Sequence, residues 1–290
     1  MSKKISLNLY KKFLSKMSHG KGYGKNPYLK KILKKIEGNL KSDFSEIQGS
    51  KMFLDPGDSL NLSINGVYGE LDTNIIRNEI SEGDVVIDVG ANIGYYTLIF
   101  AQLVGKSGTV ISFEPEPKNF SILKKNVEIN NYKNVILEQK IVSRKNEISK
   151  LFLAESGIVG HHTNSSKNSK NFIEIESITL DDYTKKLNLS NKIKFIKIDV
   201  EGAEPNVLYG AENILKENSK LKIFTEFNRE IIKKYNLDPD EMLSLLEKNN
   251  FEFILPNYDD NSISLTNKQT LLSSNELLKD NLNILCKKLF

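Results

Sequence analysis

The sequence predicts an α/β fold built on a doubly wound, mostly parallel sheet of Rossmann-like type, preceded by a helical N-terminal arm and a β-hairpin. Three observations lead there. Between residues 85 and 226, apolar runs of strand length alternate with runs of helical period, the pattern of parallel strands with helices on both faces. The first of these strands, Val85-Val86-Ile87-Asp88-Val89, runs directly into Gly90-Ala91-Asn92-Ile93-Gly94 and an apolar helical stretch, so a tight glycine-bearing turn joins strand to helix. The second, Thr109–Phe113, ends on Glu114, an acid at the tip of a strand.

Taken in order, residues 1–50 read as a basic helical arm. Residues 1–41 hold twelve Lys against one acid, Glu37. Leu9, Phe13, Leu29, Ile32, Leu33 and Ile36 are spaced for short amphipathic helices. Residues 52–72 alternate apolar and polar around Pro56-Gly57 and Asn65-Gly66, which predicts a hairpin or meander lidding the ligand end. A helix follows over 73–80. The expected core series is strand 85–89, helix 94–104, strand 109–113, helix 117–131 and strand 135–141. Residues 147–180 break this rhythm: Ile148–Leu153 and Phe172–Ile178 predict an antiparallel pair around a mobile polar loop. The series resumes with helix 180–187, strand 193–199, helix 204–217 and strand 221–226. Helix 238–249, strand 251–255 and a closing strand and helix complete it.

Composition narrows the function. The chain has 290 residues and one cysteine, Cys286, so it holds no internal disulfide and no cysteine-based metal cluster is expected. The N-terminus lacks the apolar core of a signal peptide, and no apolar stretch reaches transmembrane length. The expectation is a cytoplasmic protein, in keeping with a reducing compartment. The net charge is only +4, so the chain beyond the arm is net acidic. A lysine-rich arm can lie solvated, touch nucleic acid, or make weak contact with an anionic membrane face. No RNA-binding module or stacking-aromatic pattern accompanies it, and there is no Trp, which argues against nucleic acid as partner.

Two nucleoside cofactors compete for the turn after the first strand. A dinucleotide site wants glycines in the pattern G-x-G-x-x-G. The chain has Gly90, Asn92 and Tyr95 at those places, and Asp88 would face a diphosphate with the wrong charge. S-adenosylmethionine carries a cationic sulfur and an ammonium group and no phosphate, so a carboxylate there is favourable. The pattern therefore favours S-adenosylmethionine, with a dehydrogenase the least expected enzyme.

At these residues the chain resembles the FkbM-type methyltransferases, a family of class I S-adenosylmethionine-dependent enzymes. The matching pieces are Val86–Leu98, Phe113-Glu114-Pro115, Thr179-Leu180-Asp181-Asp182-Tyr183 and Ile196-Lys197-Ile198-Asp199-Val200-Glu201-Gly202-Ala203-Glu204, with a lead-in at Met52–Asp58 and Gly66–Glu70. The resemblance covers roughly residues 52–226. It departs at Ile141-Val142-Ser143-Arg144, where the family often has a small residue and an Asp. It implies a methyltransferase domain over 51–290, with the cofactor half at 84–145 and acceptor-side elements at 146–180 and 227–290. It also implies O-methylation of a small molecule or a saccharide. RNA methylation and a non-catalytic cofactor-binding module are the competing readings.

In an open α/β sheet, ligands bind beyond the carboxyl ends of the strands. Gly90–Gly94, Glu114, Asp199 and Glu226 all fall on that edge. The expected cofactor set is Asp88, Gly90, Ala91, Asn92, Gly94, Tyr95, Glu114, Pro115 and Asp199, with Glu114 accepting both ribose hydroxyls and Asp88 near the ammonium group. A hydroxyl acceptor must lose a proton, so a base is needed. Asp199 leads the catalytic candidates, followed by Glu201, Glu226 and the loop histidine His161. Asp199 and Glu226 could together hold Mg²⁺ through oxygen. Lys197 is expected to pair with an acid, and Glu204 to charge the first turn of its helix. Oligomeric state is not legible.

Overall fold

Gln48 and Gly49 both adopt positive φ, of 50° and 82°, and such a pair turns one strand back on the next. The result is a hairpin of β1 (Phe44–Ile47) and β2 (Ser50–Phe53). The structure is a computed structural model that describes residues 44–153, 171–273 and 282–289. The chain divides into two units, residues 1–68 and 69–290. Within the first, the hairpin sits ahead of the expected 52–72. Residues 44–50, assigned by the sequence to a helical arm, are strand and turn; the rest of the arm lies outside the described residues. The reason is local chemistry. The Asp55 carboxylate accepts the Gly57 and Ser59 amides, and Asp58 accepts the Leu62 amide. Side chains that capture backbone in this way favour a turn over a strand. They lead into the short helix α1 (Leu62–Asn65), which Gly66 ends at φ 71°.

The second unit begins with α2 (Glu70–Glu79), three residues earlier than expected. Its sheet of eight strands has the order β12-β11-β13-β10-β9-β3-β4-β5. These are β3 (Val85–Val89), β4 (Thr109–Phe113), β5 (Val135–Glu138), β9 (Ile193–Ile198), β10 (Lys222–Phe227), β11 (Phe251–Asn257), β12 (Ser262–Thr266) and β13 (Leu282–Lys288). β10, β9, β3, β4 and β5 are parallel; β13 runs antiparallel between β10 and β11, and β12 is an antiparallel edge. The chain runs outward from β3 to β5, then returns to lay β9 on the other side of β3. The switch point is therefore the β3/β9 crevice. Val86, Ile87, Phe195, Ile196 and Ile198 are all buried, because helices cover both faces of these central strands. The crossover helices are α3 (Tyr95–Leu103), α4 (Pro117–Ile129) and α5 (Leu180–Lys186).

Two further expectations are corrected. The strand 135–141 ends at Glu138; Ile141 and Val142 form β6, which joins a separate sheet with β7 (Glu147–Phe152) and β8 (Phe172–Ile178). β7 and β8 are the antiparallel pair the sequence predicts. The helix 204–217 is two helices, α6 (Glu204–Tyr209) and α7 (Glu212–Glu217). Asp181 causes the break. Its amide donates to the Gly210 carbonyl, and its carboxylate accepts the Asn213 and Ile214 amides, capping α7 from another element. Beyond β10 come α8 (Arg229–Lys234), α9 (Pro239–Lys248) and α10 (Lys268–Ser273). Among the described residues no helix is long and apolar enough to cross a membrane.

Candidate active site

The loop after β3 is shaped by close packing at the switch point. The Asp199 amide donates to the Val89 carbonyl, so the chain beyond β9 runs tight against Gly90. A Cβ on Gly90 would stand 1.9 Å from the Asp199 carbonyl oxygen, and φ is 81°. Gly90 is thus required by the neighbouring strand. The Gly90 and Ala91 amides both donate to the Phe113 carbonyl. Asn92, at φ 51°, donates its amide to Glu114 Oε2 at 2.7 Å, while Oε1 accepts the Glu116 amide at 2.9 Å. Glu114 therefore clamps the loop to the next turn, and burial pushes its carboxyl up to about 7. The N-cap of α4 is Glu116, not Glu114. Gly94 opens α3 with no side-chain cap. Ala91 and Tyr95 are buried, the Tyr95 hydroxyl meeting Thr73 Oγ1 at 3.1 Å, and Pro115 is half-buried.

Beneath the loop, Ser112, Asp88 and Lys197 stand side by side in register on adjacent strands. Asp88 is fully buried, and its Oδ2 accepts the Thr97 hydroxyl at 2.6 Å. Burial raises its pKa, and the Lys197 ammonium opposes the rise. Among the described residues its Oδ1 is buried with no hydrogen-bond partner, and so is Asn92 Oδ1. These two orphaned acceptors lie at the base and the bend of the loop.

The acidic side begins at Lys197. Its ammonium is 3.0 Å from Asp199 Oδ2 and 4.9 Å from the Tyr96 ring centroid, so it pairs with an acid as the sequence suggests. The turn after Asp199 carries Glu201 at φ 55° and Gly202 at φ 103°. Glu204 holds that turn together by accepting the Val200 and Gly202 amides, a tighter role than charging a helix end. Burial pushes the Glu204 carboxyl up to about 7. Glu226 is 6% exposed. Burial, and then the negative charges of Asp199, Glu204 and Glu201, push it up to about 9. Glu226 stands opposite Asn283 on β13. Asn283 Nδ2 donates to Asp72 Oδ2 at 2.9 Å, and the Tyr258 hydroxyl donates to Asp72 Oδ1 at 2.8 Å.

The structure thus gathers Gly90, Asn92, Glu114, Asp199, Glu201 and Glu226 along one edge, with Asp88 below. His161 lies outside the described residues. The donor set does not fit the Mg²⁺ considered for Asp199 and Glu226. Among the described residues no three metal-ligating side chains converge, and the Lys197 ammonium already occupies Asp199. Sequence reasoning missed Thr97, Asp72, Tyr258 and Asn283. Asp72 precedes the helix expected over 73–80, and its burial and partners appear only in the structure; Tyr258 and Asn283 gave no signal either.

The sequence matches the methyltransferase FkbM domain over residues 88–253, more than half of the chain. It is 25% identical over 147 residues to Methyltransferase 1 of Beauveria bassiana, covering 44% of this chain and 58% of that protein. It is 31% identical over 156 residues to the hexuronic acid methyltransferase AglP of Haloferax volcanii, covering 53% of this chain and 61% of that one. A shorter match, 50% identical over 48 residues, links it to the 31-O-demethyl-FK506 methyltransferase FkbM of Streptomyces tacrolimicus, covering 17% and 18%. The chain therefore spans about three fifths or less of the length of these relatives. With the matched region carrying the loop after β3, Glu114, the Asp199 turn and Glu226, this chain belongs to the FkbM methyltransferase domain family.

Proposed function

We propose that the chain is an S-adenosylmethionine-dependent methyltransferase acting on a hydroxyl oxygen of a saccharide or small molecule. The observation that carries this reading is the pair of buried, unpartnered oxygens, Asp88 Oδ1 and Asn92 Oδ1, at the switch-point loop. Buried acceptors without donors suit a ligand rich in N–H and O–H groups and repel a diphosphate. Glu114 is placed to accept further hydroxyl donors through lone pairs that its two amide bonds leave free. The uncapped start of α3 suits the ligand's carboxylate. When bound, S-adenosylmethionine supplies a methyl group already activated by the sulfonium charge.

On the acceptor side, the chain must hold a hydroxyl and remove its proton. Asp199 is 37% exposed at its side chain and anchored through Oδ2 to Lys197, which leaves Oδ1 to accept that proton. Glu226, pushed up to about 9, is protonated at neutral pH and serves as a donor rather than as the base. The hydroxyl class is supported by two relatives, one named for a hexuronic acid and one for an O-demethylated compound.

Calorimetric titration with S-adenosylmethionine tests this reading. Saturable binding is expected, weakened about 100-fold or more in Glu114→Ala, equivalent to about 2.7 kcal/mol. A circular-dichroism spectrum like that of the wild type would show that the fold survives. Unchanged affinity in Glu114→Ala refutes the assignment.

A further inference from the structure

Tyr258 has an arrangement that the proton-transfer scheme leaves unused. It sits in the turn between β11 and β12 and is 48% exposed, although its hydroxyl is anchored to Asp72. Asp72 is 6% exposed, and Asn283 holds its other oxygen. An aromatic ring fixed through its only polar atom presents a rigid apolar face. The same Asn283 is the cross-strand partner of Glu226, so their side chains share one sheet face. Glu226, itself buried, takes no side-chain hydrogen bond among the described residues. The cation of this cluster, Lys197, is already matched by Asp199.

Resting on the methyltransferase reading, we infer that Tyr258 is the acceptor-binding wall, that Asp72 and Asn283 are positioning residues that aim it, and that Glu226 hydrogen-bonds a neutral polyhydroxyl ring stacked there. The apolar face suits the C–H face of a sugar ring, and the carboxyl suits its hydroxyls. An acceptor bearing its own carboxylate would bring it beside Asp199, and among the described residues the cation there, Lys197, is already matched by Asp199. The site therefore selects against uronic acids, unlike the relative named for a hexuronic acid.

The test uses the full chain with S-adenosylhomocysteine and two probes, methyl β-D-glucopyranoside and methyl β-D-glucuronide, followed by saturation-transfer NMR. Transfer to the neutral glycoside is expected, with the glucuronide weaker by about tenfold. Tyr258→Ala should abolish the signal, and Tyr258→Phe, which keeps the ring but loses its anchor to Asp72, should weaken it as Asp72→Ala does. Asp72→Ala should weaken it, and Asp72→Asn, which still accepts a hydrogen bond, should restore part. Calorimetry of S-adenosylhomocysteine on each variant should show wild-type affinity, which a general loss of structure would not. A stronger glucuronide signal, a signal that survives Tyr258→Ala, or no transfer to either glycoside overturns the inference. Failure of the wild type to bind S-adenosylhomocysteine would instead sink the methyltransferase reading beneath it.

Discussion

Glu226→Gln is expected to stabilise the protein at pH 8 and to leave it nearly unchanged at pH 5. β10 holds this carboxyl in a buried position beside three other acids, and its pKa rises from 4.5 to about 9. The folded protein therefore keeps a proton that the unfolded chain releases. Between those two values the unfolded state binds fewer protons, so stability falls as pH rises. At 1.36 kcal/mol per unit, the three units from pH 5 to pH 8 amount to at most about 4 kcal/mol. Water reaching the edge of the site reduces this to about 2 kcal/mol. Glutamine keeps the shape and does not titrate, so the variant escapes the loss. At about 2–4 °C per kcal/mol for a chain of this size, the gain at pH 8 is roughly 4–8 °C in Tm. Urea denaturation of both proteins at pH 5, 6, 7 and 8, followed by circular dichroism, reads the difference directly. Glu114 also titrates in this range but is present in both proteins and cancels; Glu204, whose charge acts on Glu226, is part of the difference being read. A stability difference of the same size at pH 5 and pH 8 would refute the reasoning, because Glu226 would then hold no proton specific to the folded state.

Gly90→Ala should cost about 3 kcal/mol or more, since it adds a left-handed penalty and a main-chain collision with Asp199 that no rotamer relieves. A loss below about 1 kcal/mol in urea denaturation would mean that the β3/β9 crevice is looser than described. Lys197→Met should cost about 2–4 kcal/mol by leaving Asp199 without its cation and Asp88 without an opposing charge. Adding Asp199→Asn should recover much of that loss, and strict additivity in the double-mutant cycle would show that the pair does not interact.

The loop proposed for the cofactor was legible because its strands carry their own pattern, although its closest contacts join residues far apart in the chain. β3, β4 and β9 are buried on both faces and so appear as unbroken apolar runs, and their carboxyl ends fall on one edge by the winding rule alone. Asp88 and Lys197 were visible as polar breaks in those runs, but not their shared register. Elsewhere, local pattern was overruled by a distant group. Asp181 splits α6 from α7 across 32 residues, and β8 captures Ile141 and Val142 away from β5. The hairpin was misplaced because Pro56-Gly57 and Asn65-Gly66 look like hairpin turns, while Asp55 and Asp58 convert them into caps.

The residues proposed to meet the acceptor could not be read in the same way. Tyr258 meets Asp72 across 186 residues, and Asn283 meets it across 211. Each has an adequate local explanation: an acid in a helix first turn, a tyrosine in a turn, an asparagine in a strand. Only the insertion of antiparallel β13 between β10 and β11 sets Asn283, which holds Asp72, opposite Glu226. That topology separates two kinds of change. Substitutions in the loop after β3 strain the switch point itself, as Gly90 shows. Substitutions at Tyr258 act at the exposed turn between β11 and β12, where the fold tolerates variation and the β3/β9 crevice is not disturbed.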